Sequence, residues 1–207
     1  MSETNLALSP LELRLAADAE ILLTKNAIID KTKGLFNLLQ DKQEKYLTAQ
    51  FNLGKTIVDT SPKISRGENY KGLPYVVLDY PRIFEKDNIA AIRTMFWWGN
   101  FFSITLHLSG RYKNQFERQI LRAYTRLKEE DYYCAVNKNE WEHHFENTNY
   151  NPIKKLSYEK FEKAIQEKPF LKIAYSIPIE QWNKAGKILY VKFTEMVDLM
   201  TDQAPRR

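Results

Sequence analysis

Residues 90–109, AAIRTMFWWGNFFSITLHLS, contain two apolar runs of similar length separated by the dipeptide Gly99-Asn100. A two-residue turn between runs of aromatic and β-branched residues is typical of a β-hairpin. Such a turn pairs Trp98 with Phe101 and sets the register of every pair behind them. The hairpin should lie inside an antiparallel sheet, although the spacing of the first run also fits a helix.

The predicted register divides the hairpin into two faces of different character. One face is continuous in large apolar side chains and should belong to the core. It consists mainly of Met95, Trp97, Phe102, Ile104 and Leu106. The other face pairs Phe96 with Ser103 and Ile92 with His107, and it includes Trp98. This mixture suits a semi-polar groove for a ligand or partner, whereas the alternative is that helices cover both faces.

The remaining chain alternates between helical and extended patterns. A capping box at Ser9 opens a helical region that extends to about Leu53, with a break near Lys33-Gly34. Polar residues, glycines and prolines predict mostly loop over 54–74, with a short strand at Thr56 to Asp59. Strands are expected over 75–80, 132–136 and 170–177, and helices over 112–128, from about 157 and from 178 onward. This order predicts an α+β fold with a mainly antiparallel sheet, packed helices and an N-terminal helical segment.

Length and composition favour one domain. With 207 residues, 43% of them hydrophobic, the chain can form one sizeable core. We expect a single α+β domain over 1–207, in which 1–53 form a helical segment and 54–207 contain the sheet. Residues 95–108 are too few to span a bilayer, which needs about 20 apolar residues, so we expect a soluble protein without membrane association.

The single cysteine, Cys134, excludes an intrachain disulfide. It lies in the apolar stretch 132–136, which favours an inert buried thiol over a reactive thiolate. A chain of this kind fits a reducing compartment, and we expect it in the cytoplasm.

Positive charge is concentrated in one segment. The formal net charge is +5, and Arg111 to Lys128 contains six basic residues against one acidic residue. On a helix, Arg118, Arg122 and Arg126 lie opposite the apolar stripe. Arginines in this arrangement are typical of a surface that contacts phosphate or carboxylate groups. The alternatives are a solvated face and pairing with acidic residues of another element.

Two further segments carry candidate site residues. The loop predicted around Arg66 and Tyr70 contains two glycines and three cations, which suit either an anion-binding concavity or an ordinary surface turn. Residues 140–146 include two glutamates and two histidines followed by Glu146, but the only other histidine is His107. A metal site needs further ligands, so we interpret this segment as a solvated polar loop and expect no metal and no cofactor.

Several patches resemble one bacterial family. They are the loop Arg66 to Gly72 with the following Leu73-Pro74, the aromatic hairpin, and the strand 170–177 that enters a helix through Ile177-Pro178. In the order of these elements, roughly residues 60–200 resemble the YktB-like proteins of bacteria. Those proteins are functionally uncharacterised, so the resemblance supplies no catalytic residue that could be transferred to this chain.

These patterns favour binding over catalysis. We expect a domain that recognises an anionic ligand, nucleic acid or an acidic protein through the arginines of the 111–126 helix. The residues expected to contact ligand are Arg66, Tyr70, Arg82, Trp98, His107, Arg118, Arg122 and Arg126. The first alternative is an enzyme acting on a small molecule in a pocket of Tyr70, Tyr80, Trp98 and His107. The second is a structural or protein-interaction domain that pairs through its aromatic hairpin.

Overall fold

The structure is a computed structural model that describes residues 6–50 and 53–201. Its centre is one antiparallel sheet with the strand order β1-β2-β3-β4-β7-β5-β6. The strands are β1 Lys63–Tyr70, β2 Leu73–Phe84, β3 Ile89–Trp97, β4 Phe101–Ser109, β5 Tyr133–Ala135, β6 Tyr150–Pro152 and β7 Phe170–Pro178. The helices are α1 Pro10–Ala16, α2 Ala19–Thr48, α3 Lys55–Val58, α4 Gly110–Arg122, α5 Tyr124–Glu129, α6 Tyr158–Gln166 and α7 Trp182–Thr201. The α+β fold is therefore confirmed.

One face of the sheet forms the main core. Because strand side chains alternate with a period of two, the even-numbered residues of β3 and β4 point to this face. Phe96, Phe102, Ile104 and Leu106 are almost completely buried there. Helices α4 and α7 pack on β3 and β4, and α2 packs on β2 and α7, so the main hydrophobic core lies between helices and sheet.

The opposite face of the sheet is covered by an irregular segment, residues 137–149, which we call the strap. It joins β5 to β6 and lies over β3, β4 and β7. The interpretation of this segment as a solvated polar loop is wrong, because His144 and Asn149 are buried. The strap is instead the second layer of the fold on this face.

The hairpin is confirmed, but its predicted register is wrong by one residue. Trp97, rather than Trp98, pairs with Phe101, so the loop contains three residues. The N–H of Asn100 donates to the carbonyl of Trp97 at 3.1 Å, and Gly99 has a φ of +70°. Glycine adopts this left-handed conformation without the steric cost that a side chain would impose.

The register shift exchanges the partners on both faces of the hairpin, because a slip of one residue moves a strand's side chains to the other side. Phe96 pairs with Phe102 instead of Ser103. His107 pairs with Ala91 and shares its face with Arg93. The predicted semi-polar groove of Phe96, Trp98, Ser103 and His107 therefore does not form, and the polar side chains collect on the strap side.

The N-terminal region begins as the sequence indicates. Ser9 caps α1 in a complete capping box with Glu12. The predicted break near Lys33-Gly34 is wrong, because α2 continues through it without interruption. A glycine inside a helix costs about 1 kcal/mol relative to alanine. Burial of neighbouring α2 side chains such as Phe36 and Leu39 in the core outweighs that cost.

The first part of the sheet is more extensive than the sequence indicates. The predicted loop over 54–74 is wrong for 63–70, which form the edge strand β1 paired with β2. The short strand predicted at Thr56 to Asp59 is wrong as well, because Lys55–Val58 form helix α3. An edge strand with a solvated side need not alternate apolar and polar residues clearly. Strand β2 continues beyond Pro81, where the sequence predicts its end, and the register shifts between Asp79 and Arg82. A proline within a strand is tolerated at such irregularities.

Candidate functional site

The strap side of the sheet holds a network of buried polar side chains. Its sheet residues are Asp79 on β2, Arg93 on β3, His107 on β4 and Lys172 on β7. Sheet strands place these residues side by side because their side chains point to the same face. The strap supplies the opposing carboxylates, carbonyls and imidazoles.

Arg93 is the centre of the network. Its Nε and Nη2 atoms donate to the two oxygens of Asp79 at 2.7 and 2.9 Å, which is a bidentate ion pair. Its Nη1 lies 3.2 Å from Nε2 of His143 on the strap. Because a guanidinium only donates, this contact requires a neutral His143 that accepts through Nε2. Burial, followed by the nearby positive charges of Lys172 and Arg93, lowers the pKa of His143 well below its usual value.

His107 connects β4 to the strap. Its Nε2 lies 2.9 Å from a carboxylate oxygen of Glu140. Burial and the charges of Lys172 and Arg93 lower the pKa of His107 to about 3. At neutral pH the contact is therefore a hydrogen bond from a neutral imidazole to Glu140. It is not an ion pair.

Lys172 holds the main chain of the strap. Its Nζ donates to the carbonyl oxygens of Glu140 at 2.9 Å and Glu142 at 2.6 Å. Burial first, and then the neighbouring charge of Arg93, lowers the pKa of Lys172 to about 7. A neutral amine keeps two N–H groups, which suffice for these two acceptors.

Tyr70 fixes the strap from the end of β1. Its hydroxyl accepts from the N–H groups of His143 at 2.7 Å and His144 at 3.1 Å, and it donates to Glu142 at 3.0 Å. Burial raises the pKa of Tyr70 to about 12. The phenol therefore stays protonated at physiological pH and can keep all three bonds.

We expect the free energy of unfolding to rise between pH 7 and 9. As the pH rises above 7, the folded protein releases the Lys172 proton, whereas the unfolded chain, with a lysine pKa near 10.5, still binds it. Stability increases with pH wherever the unfolded state binds more protons. Chemical denaturation at pH 7, 8 and 9 measures the rise, and Lys172→Met should show a smaller one. Equal slopes for the two proteins would contradict a buried neutral Lys172.

The structure brings together only two of the residues that the sequence proposed for ligand binding, Tyr70 and His107, both under the strap. Trp98 lies on the other side of the sheet, against Phe96. Tyr80 is also on that side, stacked on Phe193 of α7. The predicted pocket of Tyr70, Tyr80, Trp98 and His107 is therefore wrong, because the sheet separates its members.

The proposed arginines are spread over the surface. Arg66 is exposed on the edge strand β1, and Arg82 is half-buried with its Nε donating to the carbonyl of Ser61 at 3.3 Å. Arg118 and Arg122 are exposed on α4. The single helix predicted over 112–128 is wrong, because it divides at Ala123 into α4 and α5. Arg126 accordingly belongs to a separate helix and is half-buried.

A cleft lined by lysines lies between α6 and the chain that leaves β5 for the strap. It has a volume of about 530 Å³. Its charged residues are four lysines and one glutamate: Lys138, Lys160, Lys163, Lys168 and Glu167. Val136, Ala164 and Pro169 complete the lining. The cleft therefore combines an apolar floor with an excess of positive charge.

Hydrogen bonds from lysines connect the base of this cleft to the neighbouring elements. The ammonium of Lys168 donates to the carbonyl of Ala135 on β5. Lys113 of α4 donates to the carbonyls of Gln166 at 3.4 Å and Lys168 at 2.5 Å. These bonds tie the C-terminal end of α6 to β5 and α4, while Lys160 and Lys163 remain exposed at the rim.

Sequence reasoning missed Lys172 and the lysine cleft. Lys172 carries a local signal, because it is the only charged residue in the apolar strand β7. The cleft has none, because its lysines come from the strap, α6 and the turn before β7. Nothing in the spacing of Lys138 and Lys160 indicates that they line one cavity.

The strap histidines and carboxylates do not form a metal site. Within residues 6–50 and 53–201, no group of three or more histidine, cysteine, aspartate or glutamate side chains is placed to hold a metal ion. Cys134 is free and buried as predicted, and burial raises the pKa of its thiol to about 12. The described helices include none that is long and apolar enough to cross a membrane.

No protein-family model, curated protein or solved structure matches this chain, so the resemblance to the YktB-like proteins stays a prediction.

Proposed function

We propose that this protein binds a small, multiply charged anion in the lysine-lined cleft. The observation that carries the proposal is the grouping of Lys138, Lys160, Lys163 and Lys168 around one concavity with a single acidic neighbour, Glu167. Its volume of about 530 Å³ falls within the range of roughly 300–1,000 Å³ that is usual for small-molecule sites. Ammonium groups in this arrangement suit phosphoryl or carboxylate oxygens.

The strap makes the cleft a preformed site. Lys138 lies at the beginning of the strap, shortly before Glu140. The side chain of Glu140 is hydrogen-bonded to His107, and its carbonyl accepts from Lys172. Bonds to the sheet therefore limit how far Lys138 moves from the lysines of α6. Less conformational freedom is then lost when a ligand binds, which favours affinity.

The exposed arginines of α4 support a second candidate, which is binding of a polyanion such as nucleic acid. Arg118 and Arg122 are both exposed, one helical turn apart. Contact with phosphates along a duplex would make affinity fall with salt, with a slope of about 0.9 per phosphate. We further propose a cytoplasmic, bacterial protein, for which the free thiol of Cys134 and the YktB-like resemblance are the supports.

The lysine cleft is tested by isothermal titration calorimetry with pyrophosphate as the probe. We expect the variant Lys160→Glu/Lys163→Glu to bind at least about tenfold more weakly, since hydrogen bonds to charged groups contribute about 1.5–3 kcal/mol each. The matched control is Lys45→Glu/Lys86→Glu, which makes the same change in net charge at exposed lysines away from the cleft. The control should bind as the wild type does.

Two results would contradict the proposal. One is the absence of binding heat for the wild type at millimolar pyrophosphate. The other is an equal loss of affinity in the control, which would indicate a general charge effect. The variant Arg118→Glu/Arg122→Glu distinguishes the two candidates. If the arginines of α4 bind nucleic acid, this variant should lose affinity for a labelled duplex, measured by fluorescence anisotropy, and should bind pyrophosphate as the wild type does.

A further inference from the structure

The N-terminal segment of the described chain projects apolar side chains into solvent. Every residue from 6 to 24 is exposed, which includes the whole of α1 and the first turn and a half of α2. Eight of these residues are large and aliphatic, and Leu22 and Leu23 are 61% and 67% exposed. Large apolar side chains that are exposed together in this way mark an interaction site. We call residues 6–24 the arm.

An apolar groove lies on the main body, next to the point where α2 joins it. Its volume is about 590 Å³, and its walls include Ile28, Phe96, Trp98, Ile179 and Trp182. The two tryptophans are half-buried and pack edgewise on Phe96. Half-buried tryptophans in a concave site are common anchors in protein interfaces.

Helix α1 of the same chain is by itself too short to reach this groove. The groove begins at Ile28, nine residues into α2, which corresponds to about 13 Å along the helix. Helix α1 has seven residues and a length of about 10 Å. If the chain folded back at Ala17-Asp18, α1 would end beside α2 before reaching Ile28.

The charges of the arm and of the groove surface are opposite. The arm carries three acidic residues, Glu12, Asp18 and Glu20, against one basic residue, Arg14. The groove contains Lys31. A second concavity, which follows it along α7, contains Lys184 and Lys187 as its charged residues. Complementary charge of this kind selects the partner and the orientation of docking.

We propose that the arm of one copy docks in the Trp98–Trp182 groove of a second copy, and that the exchange is reciprocal. Leucines of α1 then cover the tryptophans while the acidic residues of the arm face the lysines of α2 and α7. A reciprocal exchange gives a two-fold symmetric dimer, which is the commonest arrangement of homo-oligomers. The inference is independent of the proposed anion site.

Complementary charge reversals test the exchange by analytical ultracentrifugation. The wild type should sediment with twice the 24.5 kDa mass of one chain. The arm variant Glu12→Lys/Glu20→Lys and the groove variant Lys31→Glu/Lys184→Glu should each shift to the mass of one chain. An equimolar mixture of the two variants should regain the dimer mass, because both arm-groove contacts of the mixed dimer are again between opposite charges.

A second pair of variants tests the apolar contact. Leu11→Glu/Leu15→Glu should be monomeric, whereas Tyr158→Glu, which changes another exposed apolar residue on α6, should remain a dimer. A monomeric wild type at about 100 µM, a concentration far above the Kd of a stable dimer, would overturn the proposal. Failure of the mixed charge variants to recover the dimer would overturn it as well.

Discussion

Replacing Phe193 with alanine should lower the free energy of unfolding by about 4 kcal/mol, since removal of a buried phenylalanine typically costs 3–5 kcal/mol. The ring is completely buried where α7 crosses α2 and the sheet. It stacks on Tyr80 of β2 with centroids 6.4 Å apart and contacts Tyr46 of α2 edge-on at 6.4 Å. Alanine leaves a cavity that three different elements would have to close together.

Urea denaturation measures this loss, with Val191→Ala as the matched control. Val191 lies two residues away on the same helix and is 42% exposed, so its truncation should change stability by no more than about 0.5 kcal/mol. A loss below about 1 kcal/mol for Phe193→Ala would contradict the burial of this face of α7.

The second large effect is expected at the strap, where Asp79→Ala should cost about 3 kcal/mol or more. The substitution leaves the guanidinium of Arg93 under the strap without its carboxylate partner. Removing one member of a buried ion pair leaves the other charge out of water without a partner. The resulting loss of stability is therefore much larger than the net stabilisation that the pair provides. The variant Arg93→Met/Asp79→Ala removes both charges and should recover part of the loss.

The control for Asp79→Ala is an exposed ion pair. Nη2 of Arg111 lies 3.0 and 3.2 Å from the two carboxylate oxygens of Glu85, and both side chains are about half-exposed. Exposed pairs contribute about 0–1 kcal/mol, so Glu85→Ala should have little effect. Equal losses for Asp79→Ala and Glu85→Ala would show that the strap does not keep water from Arg93.

Local patterns were sufficient to predict much of the fold. In α7, Leu189, Phe193 and Met196 recur at helical spacing, and all three are completely buried. The capping box at Ser9 involves residues only three positions apart and is present as predicted. Such features depend on neighbours along the chain, so their spacing identifies them.

The candidate site could be predicted only in part, because its contacts join distant segments. The sequence proposes Tyr70 and His107 as ligand contacts, whereas in the structure both form hydrogen bonds to the strap. Their partners, Glu142 and Glu140, lie 72 and 33 residues away along the chain. Lys172 reaches the strap from a third segment. The periodicity of the sequence does not predict which polar groups from distant segments will come into contact on a sheet.

The sequence by itself determined the α+β class, the two hairpin strands, the amphipathic α7 and the burial of Cys134, since each depends on side-chain period or immediate surroundings. Only the tertiary structure decided the hairpin register. The dipeptide Gly99-Asn100 predicts a two-residue turn, whereas the backbone geometry forms a three-residue loop. The tertiary structure also decided that the strap is buried and that the lysines of α6 face Lys138. Ion pairs and carbonyl contacts between remote segments exist only after the sheet has brought them together, and those long-range contacts build the surface that we propose for binding.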